Sequence, residues 1–152
     1  MLKRRRDGTY ELRLPAEDRV FLAGLADQME QLLDEAPDDP SLRRLSPPAY
    51  LDDIVREAEF QVFMADDLRA SRRASLDVLR ETAERNELTE DEVVRWMQAI
   101  NAIRLVLGTR LGIDSDDYEA DVAEDDPLAA TWALYDVLSI LLEQAVRALS
   151  DQ

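Results

Sequence analysis

The stretch Thr89–Leu111, TEDEVVRWMQAINAIRLVLGTRL, decides the fold. Thr89 and Glu92 are spaced as in a capping box, in which each side chain bonds the backbone N–H of the other residue. Gly112 follows the stretch, at the position where many helices end in a left-handed turn. Apolar residues recur at the helical period and extend onto both flanks, which is typical of a central helix. The main stripe consists of Val93, Trp96, Met97, Ile100, Ile103, Leu107 and Leu111.

Polar residues inside this helix predict a buried network. Arg104 interrupts the apolar stripe, and a guanidinium in that position either extends to an edge or is buried beside a carboxylate. Asn101 lies one turn earlier, and Glu57 is the acid closest to the apolar stripe of the preceding helix. We predict a structural network of Asn101, Arg104 and Glu57, with an anion or ligand site as the alternative. Gly108, within the same helix, predicts the close approach of another helix.

The rest of the chain predicts three more helices and a short hairpin. Asp7-Gly8 separates two short segments within residues 1–14 and favours a type I′ turn. In the longest helix, Ile54 is expected on the inner face. We expect residues 1–152 to form a single all-α domain, a bundle of four main helices around residues 89–111 with a small N-terminal β-hairpin. The added helices run from Pro15 to before Pro37, from Tyr50 to about Arg85, and from Pro127 to about Leu149.

Residues 112–126 form a strongly acidic segment. They contain eight acidic side chains and no basic one, so they hold half of the net charge of −16. A calcium loop is the functional alternative, because Asp114, Asp116 and Asp117 resemble the start of an EF-hand. However, Glu119 stands where such a loop needs a glycine. We therefore expect a solvated acidic loop, with no metal and no cofactor.

The composition argues against catalysis. Cysteine and histidine are absent, which excludes disulfides and thiolate metal sites and removes the commonest general base. A magnesium-dependent nucleotide hydrolase is the enzymatic alternative, because four glutamates have Glu-x-x-Glu spacing. They straddle the break between two helices, so their carboxylates would not share one face, and we expect no enzyme. The four are Glu81, Glu84, Glu87 and Glu90.

Hydropathy and charge also bound the location and the partners. No apolar run approaches the ~20 residues of a membrane span, and no signal peptide is apparent, so we expect a cytoplasmic protein without membrane contact. Two arginine clusters are candidate DNA contacts, although a net charge of −16 opposes the approach of phosphate. The clusters are Arg4, Arg5 and Arg6 near the N-terminus, and Arg69, Arg72 and Arg73 in the second helix.

More large apolar residues are present than the inner faces of one bundle can bury. They point away from the predicted inner faces of the second and last helices, so a second surface must cover them. We therefore predict a homodimer. The candidate interface residues are Phe60, Phe63, Trp132, Val137 and Ile140.

Three stretches resemble one protein family. Asn101–Leu111, NAIRLVLGTRL, is similar to a family core of Asn-x-x-Arg-Leu-x-Leu-Gly-Thr-Arg-Leu. Arg44–Asp53, RLSPPAYLDD, and the last helix, with Tyr135-Asp136-Val137-Leu138, resemble the same proteins. The chain is thus identified as a member of the actinobacterial family grouped as domain of unknown function 2017, and the similarity covers nearly the whole chain.

The resemblance implies little about chemistry. The family has no established catalytic residues, and its genes commonly neighbour those of a Clp protease adaptor and of cysteine biosynthesis. Some members are described as transcriptional regulators, including redox-responsive ones that use cysteines. A thiol switch cannot be transferred to this sequence, which has no cysteine. We predict a non-enzymatic regulatory or scaffolding protein that acts through protein–protein contacts, with a transcriptional regulator that contacts DNA through its arginines as the alternative.

Overall fold

The computed structural model describes residues 1–45, 53–113 and 125–150 and is predominantly helical, as predicted. A short 3₁₀ helix follows the first α-helix, and a small antiparallel sheet lies near the N-terminus. The acidic segment falls mostly outside the described residues. The helices are α1 (Ala16–Glu35), the 3₁₀ helix (Pro40–Leu45), α2 (Ile54–Glu81), α3 (Glu90–Arg110) and α4 (Ala129–Ser150), and the strands are β1 (Leu2–Arg4), β2 (Tyr10–Leu12) and β3 (Glu87–Leu88).

Helix α3 is the centre of the bundle, as its apolar pattern predicts. The capping box is present: Thr89 Oγ1 accepts from the Glu92 backbone N–H at 3.2 Å, and the Glu92 carboxylate accepts from the Thr89 N–H at 3.1 Å. Gly112 takes the left-handed conformation after the helix, with φ of +77°. Trp96 and Ile100 are fully buried, because α1, α2 and α4 all pack against this helix.

Helix α2 is unbroken from Ile54 to Glu81, but only its C-terminal part is well buried. Asp53 caps its start by accepting from the Arg56 backbone N–H at 3.0 Å. The prediction that Ile54 lies on an inner face is wrong, since this side chain is exposed. Arg73 pairs with Glu30 of the antiparallel α1 at 3.5 Å. Helix α1 ends five residues later, so it has no residues left to cover the N-terminal half of α2.

The predicted hairpin is part of a three-stranded sheet. β2 lies between β1 and β3, with Leu2 opposite Leu12 and Tyr10 opposite Leu88. The type I′ turn is wrong, because among the described residues only glycines, including Gly8, have positive φ. The strands are instead joined by a longer loop, closed by the Arg5 N–H donating to the Thr9 carbonyl at 2.7 Å. The sequence did not reveal β3, whose two residues lie in the predicted break between the second and third helices.

Helix α4 packs against α3 at Gly108. A Cβ atom built on Gly108 would lie 3.2 Å from Cε2 of Tyr135, so the close approach predicted from this glycine is confirmed. Helix α4 begins two residues later than predicted. In the turn before it, the Asp126 carboxylate accepts a hydrogen bond from the Leu128 backbone N–H at 2.7 Å. In the part of the chain that the structure describes, no helix is both long and apolar enough to cross a membrane.

Candidate functional site

The described contacts of Arg104 are to α4. Its Nε donates to Ser139 Oγ at 2.7 Å, and its guanidinium carbon lies 5.0 Å from the centroid of the Tyr135 ring. The Ser139 hydroxyl in turn donates to the Tyr135 carbonyl at 2.9 Å. Arg104 is therefore half-buried at the α3–α4 contact, where it links two helices.

Glu57 belongs to a different part of the molecule. Its carboxylate accepts from Gln61 on its own helix at 2.7 Å. Ser75 donates to Gln98 at 3.2 Å and so aligns α2 with the antiparallel α3. Measured from this hydrogen bond, at 1.5 Å per residue, Glu57 lies roughly 27 Å away along α2. Arg104 lies only roughly 9 Å away along α3, in the same direction. The structure therefore does not bring the two together, and Asn101 is half-buried on α3.

The N-terminal arginines are partly engaged in the sheet. Glu11 and Glu87 are direct cross-strand neighbours, an arrangement that is unfavourable for like charges. Arg5 reaches both carboxylates, at 3.8 Å and 2.8 Å respectively. The side chains of Arg4 and Arg6 are exposed and form no hydrogen bond or ion pair among the described residues. Arg5 thus has a structural role, which leaves a smaller basic surface than the sequence predicted.

The second arginine cluster lines a cleft rather than an open basic surface. This cleft, of about 450 Å³, lies between the C-terminal part of α1, the 3₁₀ helix and α2. Arg72 is half-buried there and donates to the Leu45 carbonyl at 2.7 Å, and burial lowers the pKa of its guanidinium. Arg73 pairs with Glu30, whereas Arg69 is exposed and has no hydrogen bond or ion pair among the described residues.

Acidic side chains on the opposite wall offset these arginines. Glu30, Asp34, Asp38 and Asp39 all line the cleft. Asp39 accepts from both the hydroxyl and the backbone N–H of Ser41, and these two hydrogen bonds hold the pKa of the Asp39 carboxyl below its ordinary value. Because both signs of charge meet in it, the cleft does not present the basic surface that a phosphate backbone needs.

The predicted interface residues divide between two helices. Phe63, Val137 and Ile140 are largely exposed, while Phe60 and Trp132 are half-buried. The Trp132 and Tyr135 rings meet edge to face with their centroids 6.5 Å apart. Because α2 and α4 pack on different sides of α3, these residues form two separate surfaces.

The larger of the two surfaces lies on the N-terminal half of α2. Four large apolar side chains are exposed there, Ile54 by 87%, Val55 by 67%, Val62 by 80% and Phe63 by 79%. The sequence pointed only to Phe63 among them, placed Ile54 on the inner face, and did not single out Val55 and Val62. Ile54 is exposed because it lies beyond the ends of α1 and α3, whereas Phe63 is exposed because it lies on the side of α2 opposite Gln61 and Ala65, which line the cleft. We call the exposed residues Val55, Arg56, Glu59, Val62, Phe63, Asp66 and Arg69 the outer face of α2.

The glutamates of the enzymatic alternative do not converge. Glu81 accepts from Arg85 at 2.9 Å, and Glu87 lies in β3, where it accepts from Arg5. Over the described residues, no group of three or more acidic side chains is placed to hold a metal ion. The feature that stands out among the described residues is therefore the exposed apolar and charged outer face of α2.

Comparisons with known proteins identify a family of unknown function and relatives that are named as regulators. A family model described as "Domain of unknown function (DUF2017)" matches residues 1–149. The chain is similar to the putative oxidative stress regulator AosR of Mycobacterium leprae (strain TN), with 33% identity over 132 residues. It is similar, with 30% identity over 132 residues, to the oxidative stress regulator AosR of Mycobacterium tuberculosis (strain ATCC 25618 / H37Rv).

The curated relatives are longer than the aligned region. Each match covers 76% of this chain and 60% of the relative, so the chain spans less than two thirds of their length. No solved structure matches the chain significantly.

Proposed function

The chain belongs to the DUF2017 family, and from that premise we propose that it is a cytoplasmic regulatory protein that acts through contacts with other proteins and not by catalysis. The names of its relatives support regulation, in particular of the response to oxidative stress. The observation that carries the mode of action is the outer face of α2, where apolar side chains as large as Phe63 are exposed. Contiguous apolar patches of this kind are typical of protein interaction sites.

The arginines favour protein contacts over DNA. Arg5 and Arg73 pair with carboxylates, and Arg72 donates to a backbone carbonyl. The residues left for phosphate are few, and they stand in the field of a chain with net charge −16. We expect duplex binding to be lost by about 150 mM salt, as counterion release predicts for a small number of phosphate contacts. A gel shift that persists at that salt and disappears on Arg69→Gln would favour the DNA alternative.

A response of this chain to oxidants cannot use thiol chemistry of its own. No cysteine occurs in the 152 residues, so a disulfide switch within them is excluded. We propose that this chain receives the signal through its partner.

The experiment that tests the proposal compares strains of the native host. The native gene is replaced by a Phe63→Ser version, and transcripts are profiled before and after an oxidant challenge. We expect the profile of this strain to match that of a gene deletion, because the contact is lost. A Phe21→Ser strain, which changes an exposed phenylalanine on α1, is the matched control and should match the wild type. A Phe63→Ser strain that behaves as the wild type, beside a deletion that does not, would overturn the proposed surface.

We also propose that two copies associate through α4. Val137 and Ile140 are 51% and 53% exposed on its outer side. In an antiparallel α4 pair centred on Ile140, Glu143 and Arg147 of one copy both lie within one turn of Asp136 of the other, so the apolar contact and not charge pairing carries this proposal. Light scattering at micromolar concentration should give twice the 17.3 kDa of one chain. Ile140→Glu should give the single chain, and a wild-type particle of one chain would refute the dimer.

A further inference from the structure

The outer face of α2 carries a symmetric pattern of charge around two apolar side chains. The apolar pair is flanked three residues away on each side by a carboxylate, and three residues beyond each carboxylate by a guanidinium. All six side chains are exposed. At 100° per residue they fall within roughly 140° of the helix surface, so a single partner helix can contact them together. In chain order they are Arg56, Glu59, Val62, Phe63, Asp66 and Arg69.

This symmetry argues against a second copy as the occupant. In the antiparallel register that places Val62 of one copy against Phe63 of the other, Glu59 of one copy opposes Asp66 of the other. A parallel pair is no better, because each charge then opposes itself. Like charges directly opposed are destabilising, so burying the apolar pair and matching the charges are incompatible in a self-association.

We propose that the outer face of α2 binds an amphipathic helix of another protein that has the complementary pattern, a central apolar pair flanked by basic residues and then by acidic ones. The proposal rests on the proposed function, which it deepens by naming the chemistry of the partner. Basic side chains of the partner lie against Glu59 and Asp66, beside the apolar contact with Val62 and Phe63. The acidic side chains further out lie against Arg56 and Arg69.

The apolar and the charged side chains of the face have different roles in this contact. The apolar pair supplies most of the binding free energy, since aromatic side chains at the centre of an interface contribute most. The charges select the partner and fix its register, and the terminal Arg56 and Arg69 discriminate against a uniformly basic helix.

The test uses two synthetic helical peptides of about 20 residues, long enough to form several turns. The first has Glu, Lys, Leu-Leu, Lys and Glu at the complementary spacing on an alanine and glutamine background. The second has every lysine and glutamate exchanged. We expect the full chain to bind the first at least ~10-fold more tightly, as measured by fluorescence anisotropy of the labelled peptides, because four exposed ion pairs change sign.

Charge reversal on the protein tests whether these contacts are made on α2. Glu59→Lys with Asp66→Lys should abolish the preference between the two peptides, because each peptide then forms two attractive and two repulsive contacts with the face. The matched control is Glu17→Lys with Asp91→Lys, which changes two exposed acids on α1 and α3 by the same total charge. The control should keep the original preference, because it alters the long-range field and not the contacts.

The apolar contact is tested at the centre of the face. Phe63→Ser should lower the affinity for the first peptide by at least ~10-fold, as expected for an aromatic side chain at the centre of an interface. Phe21→Ser should leave its affinity unchanged. Three outcomes would each overturn the proposal. They are equal binding of the two peptides, equal effects of the two charge-reversed variants, and a fall in the particle mass of the chain on Phe63→Ser.

A final measurement separates this inference from the proposed function. A photo-crosslinking amino acid replaces Phe63 in the native host, and the captured segment is mapped by mass spectrometry. A segment with the complementary pattern, whose capture is lost in the Glu59→Lys, Asp66→Lys chain, supports the inference. A captured segment without the pattern overturns the inference and leaves the proposed function standing. Capture of nothing that depends on this position overturns both.

Discussion

The guanidinium of Arg104 lies over the ring of Tyr135, with its central carbon 5.0 Å from the ring centroid. The same guanidinium donates through Nε to Ser139 one turn further along α4, so one side chain of α3 contacts two successive turns of its neighbour. A cation–π contact and a hydrogen bond from a charged donor each contribute of the order of 1 kcal/mol. Arg104 therefore stabilises the α3–α4 contact and is a structural residue.

Arg104→Ala should lower the free energy of unfolding by at least about 1.5 kcal/mol, because both contacts with α4 are lost. Urea denaturation at neutral pH measures the effect. Arg110→Ala is the matched control on the same helix, since the Arg110 side chain is exposed and has no hydrogen bond or close ion pair among the described residues, only a longer-range attraction to Asp39. The control should stay within ~0.5 kcal/mol of wild type. Equal effects of the two variants would show that the α4 contacts contribute nothing.

Arg5→Ala should destabilise the sheet more than Arg4→Ala does. Arg5 lies between Glu11 and Glu87, so its removal leaves two opposed carboxylates with only the contact between Arg13 and Glu11, at 3.6 Å, at an expected cost of about 0.5–1 kcal/mol. Arg4 is exposed and should be within ~0.3 kcal/mol of wild type. Thermal unfolding at low and high salt checks the origin, since the Arg5 effect should shrink as salt screens the carboxylates. An Arg5 effect that did not change with salt would contradict an electrostatic role.

The pH dependence of stability should include a contribution from Glu92. Its hydrogen bonds from Arg85 and from the Thr89 backbone N–H hold the pKa of the Glu92 carboxyl below its ordinary value of 4.5. A carboxyl whose pKa is lowered by folding stabilises the protein above its unfolded pKa. That contribution is lost as the pH falls from about 4.5 through the folded pKa.

Glu92→Gln isolates this term, because the amide still accepts from the Thr89 N–H but cannot pair with Arg85 as a carboxylate. The stability difference between wild type and Glu92→Gln should be largest near neutral pH and should diminish below pH ~4.5. Asp91→Asn in the same turn is the control and should show a smaller dependence, because Asp91 is exposed. Denaturant midpoints across this pH interval measure it, and a difference independent of pH would argue against the pair.

The sequence predicted best what is determined locally. The capping box at Thr89 and Glu92, the left-handed Gly112 and the apolar period of α3 depend on residues within one helix, and all were confirmed. Gly108 also predicted a close neighbour correctly, because a glycine costs helix stability wherever it has no packing role. What this pattern could not supply was the identity of that neighbour, Tyr135.

Features that depend on the alignment of distant elements were missed. β3 has only Glu87 and Leu88, too few residues to show a period of two, and it is stabilised by pairing with β2. Glu57 was expected near Arg104 because both lie near apolar stripes. An apolar stripe shows which face of a helix is buried, but it does not determine how two helices are aligned along their axes. The exposure of Ile54 has the same cause, since it depends on where α1 and α3 end.

Phe63 and Leu79 should separate binding from stability on the same helix. Leu79 is fully buried in the core, whereas Phe63 is 79% exposed. Leu79→Ala should therefore cost about 2–5 kcal/mol, from lost burial and the cavity left behind. Phe63→Ser should stay within ~0.5 kcal/mol of wild type, because it removes an apolar side chain that already faces water. Denaturant unfolding of the two variants measures this. A Phe63→Ser chain that lost stability as Leu79→Ala does would mean that Phe63 belongs to the folded core. Any loss of binding on Phe63→Ser would then report unfolding and not a missing contact.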